Sequence, residues 1–346
     1  MEKIRIALAG FGMSAQVFHL PFWRVDPRFE VVKVFERSGN KAQEALPQAK
    51  IVHSFSELLT GDVDLVVITT PNQTHFDFAQ QALAAGKNVV VEKPLCTTAA
   101  EAEALAKLAE EQGVLLTVYQ NRRWDSAPLT AKKLISDGLL GEIVDAEFRF
   151  ERYAAGLNKK RWKETGEAGV GLVYDLGSHL IDMAVDIFGM PSEIYADIRR
   201  QHKGAISDDN FDIALYYADG KKVSLIGSKY AREPLPFMVL HGKSGSYIKP
   251  AADNQEALLV AGVSPVGDWN AESEDEHGLL HTETGGQTVR KKIESVRGNY
   301  DTFYENLYQA MNGKAAPVVQ PQQVAQVIGL IEKAYESAEM GRRIKV

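Results

Sequence analysis

A glycine turn between a strand and a helix fixes the architecture of the first third of this chain. Ile4-Arg5-Ile6-Ala7-Leu8-Ala9 reads as a short apolar strand, and Gly10-Phe11-Gly12-Met13-Ser14-Ala15 leads from it into a helical stretch. In such a G-x-G-x-x-A turn the first glycine permits a tight bend and the second lets backbone approach a pyrophosphate. Ala15 is small enough for close helix–sheet packing in place of a third glycine. Backbone N–H groups around Met13 and Ser14, at the positive end of the helix dipole, would receive the phosphates. The next strand, Glu30–Phe35, ends at Glu36, about twenty residues past the motif, where a carboxylate would meet an adenosine ribose. Strand signals at Asp64–Thr69, Asn88–Val91 and Val114–Val118 alternate with helical ones, clearest over Phe76–Ala85 and Ala99–Gln112. Thr98-x-x-Glu101 is a capping box, and Gly86 and Gly113 stand where the two helices should stop. Apolar strands alternating with helices predict a parallel sheet covered on both faces. Residues 1–122 are therefore expected to form an α/β, doubly wound Rossmann domain.

Glu92-Lys93-Pro94 follows the buried run Asn88-Val89-Val90-Val91. Open parallel sheets bind ligands outside the carboxyl ends of their strands, so two charges stand where a ligand is expected. Charges in such a place are costly to desolvate unless they have partners or work. Thr70-Pro71-Asn72 ends the preceding strand at the same edge, where Asn72 either lines a ligand or starts a turn. Composition narrows the partners. A chain of 346 residues exceeds one typical core and predicts two domains. A net charge of −7 with no basic stripe argues against nucleic acid. No apolar run reaches the roughly 18 residues of a membrane span, and the start, Met1-Glu2-Lys3-Ile4, lacks the apolar region of a signal peptide. The single cysteine, Cys96, excludes an internal disulfide and fits a reducing cytoplasm.

After Asn121 the pattern changes to longer, alternating strands at Asp145–Tyr153, Glu193–Arg200, Phe211–Tyr217, Lys222–Lys229 and Phe237–Tyr247, with Asp219-Gly220 as a hairpin turn. This predicts a C-terminal α+β domain, residues 123–346, with a large open, mostly antiparallel sheet. Ala261–Gly286 reads as a long loop or flap, and two helices near Tyr300–Asn312 and Gln322–Met340 close the chain, placed to pack back on the first domain. Between the strands, Gly171–Phe188 has helical apolar spacing and carries Asp175 and His179 four residues apart, on one helix face. A carboxylate beside an imidazole fixes its tautomer and suits proton transfer near neutral pH, although the spacing alone fits a simple ion pair equally.

The glycine turn, Thr70-Pro71-Asn72-x-x-His75, Glu92-Lys93-Pro94 and Asp175-x-x-x-His179 occur in the order seen in the Gfo/Idh/MocA family of oxidoreductases, and the resemblance spans essentially the whole chain. Val34-Phe35-Glu36-Arg37-Ser38, Gln120-Asn121-Arg122-Arg123-Trp124 and Tyr174-Asp175-Leu176-Gly177-Ser178-His179 resemble most a subgroup containing bacterial NADP-dependent scyllo-inositol dehydrogenases. The resemblance implies hydride transfer between NAD(P) and a secondary alcohol of a cyclitol or sugar, with Lys93, Asp175 and His179 as the catalytic set. It places cofactor contacts at Gly10, Gly12, Met13, Ser14, Glu36, Arg37, Ser38, Thr70, Pro71, Asn72, Glu92, Lys93 and Asn121. Substrate contacts would come from Lys93, Arg123, Trp124, Trp162, Asp175 and His179.

Two further readings remain open at this stage. Some relatives are nucleotide-binding sensors or regulators, and others reduce tetrapyrroles or non-sugar carbonyls. Retention of both the lysine and the histidine favours the enzyme. Glu36 would favour NAD, whereas Arg37 and Ser38 beside it, and the habit of the subgroup, favour NADP. The apolar side chains Phe148, Phe150, Ile213, Leu215, Tyr217, Val223 and Leu225 predict a broad sheet surface that a homodimer or higher homo-oligomer would cover, the alternative being an outer face that Arg149, Glu151, Asp212 and Ser224 keep wet.

Overall fold

The computed structural model describes residues 3–154, 156–157 and 164–346. The chain divides into two compact units. The first comprises Met1–Gln120, Gln255–Trp269 and Tyr300–Ile328; the second comprises Asn121–Asn254, Asn270–Asn299 and Gly329–Val346.

The first unit is built on six parallel strands: β1 (Ile4–Ala9), β2 (Phe29–Phe35), β3 (Lys50–Val52), β4 (Leu65–Ile68), β5 (Asn88–Glu92) and β6 (Leu116–Tyr119). Their order is β3-β2-β1-β4-β5-β6, so the chain reverses direction across the sheet at β1 and β4. That switch point is where a doubly wound sheet opens a crevice for a nucleotide. All four residues of β4 and the three valines of β5 are buried, as expected of strands covered on both faces. The helix Ala99–Gln112 starts with the Thr98/Glu101 capping box and ends at Gly113, whose φ of +65° a side chain would resist. Phe303 and Tyr304, from the late helix Asp301–Met311, pack edge to face with each other and meet Phe22 and Tyr119 in the same unit. The unit's aromatic core thus draws on both ends of the sequence.

The second unit holds nine strands: β7 (Ile143–Glu151), β8 (Glu193–Arg199), β9 (Asn210–Tyr216), β10 (Lys222–Ser228), β11 (Met238–Gly242), β12 (Gly245–Lys249), β13 (Gly278–Thr284), β14 (Gln287–Ile293) and β15 (Ile344–Lys345). Their order is β14-β13-β12-β11-β7-β10-β9-β8-β15, and every pairing is antiparallel except β7 with β10. Three expectations need correction. Phe237–Tyr247 is not one strand, because Gly242 and Gly245 bracket a turn; a Cβ on Gly242 would lie 2.1 Å from the Leu140 carbonyl oxygen. Ala261–Gly286 is not all loop, since β13 occupies its end and pairs with β14 through Gly285-Gly286, both at positive φ. Finally, Phe148, Ile213, Leu215, Val223 and Leu225 are fully buried and Tyr217 nearly so within this one chain. Charged side chains, Glu147, Arg149, Glu151 and Asp212, alternate with them along the same strands, with Arg149 and Glu147 paired at 2.6 Å. Of the expected apolar set, Phe150 stays partly exposed. Among the described residues, no helix is long and apolar enough to cross a membrane.

Candidate active site

The nucleotide side of the site is formed at the carboxyl end of the parallel sheet. Gly10 turns at φ +91°, and a Cβ there would crowd Thr69 and Thr70 at 3.2 Å, so this position requires glycine. Gly12 has the opposite surroundings: nothing lies within 4 Å of where its Cβ would be. That open space above exposed backbone fits the close approach of a pyrophosphate. Met13 beside it is half exposed. The segment that follows is a π-helical turn, Ala15–His19, running into the α-helix Leu20–Val25. Such turns widen a helix locally and recur at functional sites.

At the end of β2, the Glu36 side chain is turned inward. Its two carboxylate oxygens accept the backbone N–H groups of Ala42 at 2.8 Å and Lys41 at 3.2 Å, at the start of the short helix Ala42–Ala45. Arg37 and Ser38 stand exposed just beyond. Glu36 is thus occupied as a helix cap, a use that its position past the glycine motif did not reveal.

Thr70-Pro71-Asn72 leaves β4 and enters the single 3₁₀ turn Asn72–Thr74. His75, buried at the start of the next helix, has Nε2 2.8 Å from the Thr70 carbonyl and Nδ1 2.7 Å from the Pro94 carbonyl. It ties the Thr70 loop to the segment after Lys93. Burial pushes this imidazole down, whereas two carbonyl acceptors favour the doubly protonated ring. The Lys93–Pro94 peptide bond is cis. Cys96, two residues on, is fully buried, and burial raises its thiol far from thiolate character.

Beneath Lys93, Ser14 and Glu92, expected as cofactor contacts, meet two side chains that the sequence did not single out, His19 and Tyr304. The Glu92 carboxylate accepts the Ser14 hydroxyl, contacts His19 Nε2 at 3.0 Å and accepts the Lys93 backbone N–H at 3.2 Å. Burial acts to raise its pKa, but His19, then Ser14 and the charge of Lys93, hold it below the usual carboxylate range. His19 is fully buried, with Nδ1 3.0 Å from the Tyr304 hydroxyl. Tyr304 and Tyr119 both donate to the Phe18 carbonyl, at 2.7 and 2.9 Å.

In the second unit, Val173–Gly177 is again a π-helical turn, followed directly by the α-helix Ser178–Phe188. The single α-helix expected over Gly171–Phe188 is thus divided. Asp175 lies in the π turn and His179, buried, in the first α turn. The helix is anchored by Asp208, whose Oδ2 accepts the Val173 N–H at 2.8 Å and whose Oδ1 accepts the Tyr335 hydroxyl at 2.6 Å. Gly171 must be glycine: its φ is +94°, and a Cβ would lie 2.0 Å from Asp208 Oδ1. Asn121, Arg123 and Trp124, on the 3₁₀ turn Asn121–Trp124, are all buried. Arg123 gives Nε and Nη2 to Asp182 at 2.8 and 2.7 Å, so a carboxylate of the same helix, rather than a substrate, holds these donors. Burial pushes the Asp182 carboxyl up against the pull of Arg123. Trp162 lies outside the described residues.

The sequence and the fold find their counterpart in known proteins. The profile of the oxidoreductase family's NAD-binding Rossmann fold matches residues 4–120, and that of its C-terminal alpha/beta domain matches residues 132–346. The chain belongs to the Gfo/Idh/MocA oxidoreductases. It is 36% identical over 99% of its length to 96% of the scyllo-inositol 2-dehydrogenase (NADP(+)) IolW of Bacillus subtilis. It is 37% identical to the uncharacterized oxidoreductase YdgJ of Escherichia coli, over 98% of this chain and 97% of that one. A crystal structure of a candidate oxidoreductase of Bacteroides fragilis superposes with a TM-score of 0.90 at 43% identity, covering all of both chains. This member of the family is an NAD(P)-dependent oxidoreductase acting on CH–OH groups.

Proposed function

We propose that the enzyme interconverts a secondary alcohol and a ketone of a cyclitol or sugar, with NADP favoured over NAD. The carrying observation is the full-length similarity to a scyllo-inositol 2-dehydrogenase (NADP(+)) in a chain that retains Lys93, Asp175 and His179. A bound nicotinamide supplies the hydride acceptor. His179 takes the hydroxyl proton of the substrate and returns it in the reverse direction. Asp175, one turn earlier on the same helix, orients the imidazole and favours its protonated form. Lys93 donates to the substrate oxygen and stabilises the alkoxide as it develops. Trp124 and Asn121 line the site, while Arg123 fixes the turn that carries them. The NADP preference is supported by Arg37 and Ser38, exposed just beyond Glu36 and suited to meet a 2′-phosphate, while Glu36 is engaged by the backbone N–H groups of Lys41 and Ala42. A homodimer through the charged face of the nine-stranded sheet completes the proposal, and a solution mass near that of one 38.2 kDa chain would exclude it.

A panel of inositols, aldoses and polyols with NAD⁺ and NADP⁺, followed at the absorbance of reduced nicotinamide, tests this reading. Lys93→Ala and His179→Ala should each lower kcat by about 10²-fold or more with cofactor still bound. Near wild-type turnover in both would remove the mechanism. Arg37→Ala should raise KM for NADP⁺ far more than for NAD⁺, and equal changes would count against the assignment of Arg37.

A further inference from the structure

We propose that Asp208 is a positioning residue: it holds the start of the π turn Val173–Gly177 in place and thereby sets where Asp175 stands relative to His179. The proposal rests on the catalytic roles given to that pair above. Its basis is helix register. The Ser178 N–H donates to the carbonyl of Val173, five residues back, where an α-helix would use that of Tyr174. The Ser178 hydroxyl donates to that Tyr174 carbonyl, at 2.7 Å. The turn therefore takes up one residue more than an α-helix would over the same path. One residue is about 100° of rotation in an α-helix. Winding the turn back into α form would rotate its start against the helix that carries His179, and Asp175, inside the turn, would share in that rotation.

Both sides of the turn are pinned. At its start, Asp208 accepts the Leu172 N–H on its carbonyl at 2.9 Å and the Val173 N–H on Oδ2 at 2.8 Å. Its Oδ1 accepts the Tyr335 hydroxyl at 2.6 Å. Burial, then the charge of Asp208, push that phenol up, so the hydroxyl remains the donor. Gly171 gives the carboxylate room to come this close, since a Cβ there would lie 2.0 Å from Oδ1. The Tyr335 ring also stacks on Tyr174, the residue before Asp175, with ring centroids 6.1 Å apart. One side chain thus steadies both the start and the middle of the turn. Beyond it, Arg123 holds Asp182 on the α-helix Ser178–Phe188. With both sides fixed, the extra residue stays in the turn. Releasing the start lets it unwind.

Kinetics and a structure test this on the full-length protein. With a substrate found in the panel above, Asp208→Ala should lower kcat about tenfold or more while KM for NADP⁺ changes less than about threefold. Asp208→Asn keeps an oxygen for the Val173 N–H and gains an N–H for the Tyr335 oxygen, and should retain roughly a third or more of wild-type kcat. Wild-type kcat in Asp208→Ala, or an Asn variant as slow as the Ala one, would overturn the proposal. Should Asp208→Ala not fold, Tyr335→Phe removes only the hydroxyl that holds Oδ1 and should lower kcat about threefold; an unchanged kcat there would overturn the proposal as well. A crystal structure of the same variant needs no activity. It should show Asp175 displaced with respect to His179, and a π turn with both residues placed as in wild type would overturn the proposal. If no panel substrate turns over, the proposed function fails while the structure still decides the role of Asp208.

Discussion

Each unit has a helix that opens with a π turn, yet the two turns are fastened in different ways. In the first unit, Ala15–His19 is held through side chains, by a chain of Ser14, Glu92, His19 and Tyr304 that lies directly under Lys93. In the second, Val173–Gly177 is held at its start by Asp208 and Tyr335, and the α-helix after it by Arg123 on Asp182. The two units thus show that similar helical irregularities are made rigid by quite different electrostatics.

The largest expected effect is on the second unit. Arg123→Ala leaves Asp182 buried without its bidentate partner, and should destabilise the protein by about 3–5 kcal/mol. Urea denaturation gives the number. A variant that unfolds at the wild-type midpoint would contradict the structural role of the pair.

A smaller effect separates the two carboxyls by the sign of their pH dependence. Glu92 is depressed in the folded state: burial opposes, but His19, Ser14 and Lys93 prevail. Its contribution is present above the ordinary value of 4.5 and is lost as pH falls through the lower folded value. Asp208 is raised, by burial first, so its ionisation in the fold costs stability as pH rises from 3.8 towards the folded value. The stability advantage of wild type over Glu92→Gln should therefore grow with pH in the acid range, and that over Asp208→Asn should shrink. Denaturation curves at several acidic pH values check this; slopes of the same sign would erase the contrast. The smallest effect is a reference for both units. Thr98→Ala removes only a helix cap, and should cost about 1 kcal/mol with kcat and KM unchanged. A change in either kinetic constant would show that stability and turnover are not separable here.

Local signals made much of this legible in the sequence. The glycine turn, the alternation of β and α and the Thr98/Glu101 box depend on residues within one turn or one strand, and the structure shows each of them where the spacing puts it. The hairpin at Gly285-Gly286 was equally local, but the charged and polar residues of Gln287–Ile293 masked its alternation. Glu36 was harder, because a carboxylate after β2 can face a ribose or turn back on Lys41 and Ala42 with no difference in the sequence. His19 could not be read at all. Its meaning depends on Glu92 and Tyr304, which are 73 and 285 residues away. Nothing in a window around Phe18 carries that information.

The span between His19 and Tyr304 has a consequence for how the enzyme is made. Synthesis runs from the N-terminus at roughly 5–20 residues per second. By the time Gln120 emerges, all six strands of the nucleotide sheet exist, but the tyrosine that caps His19 Nδ1 does not. The nascent domain waits, with a histidine lacking its partner, until the helix Asp301–Met311 leaves the ribosome. The contact between His19 and Tyr304 beneath β5 is thus among the last features acquired, so the first unit is complete only when nearly the whole chain is present.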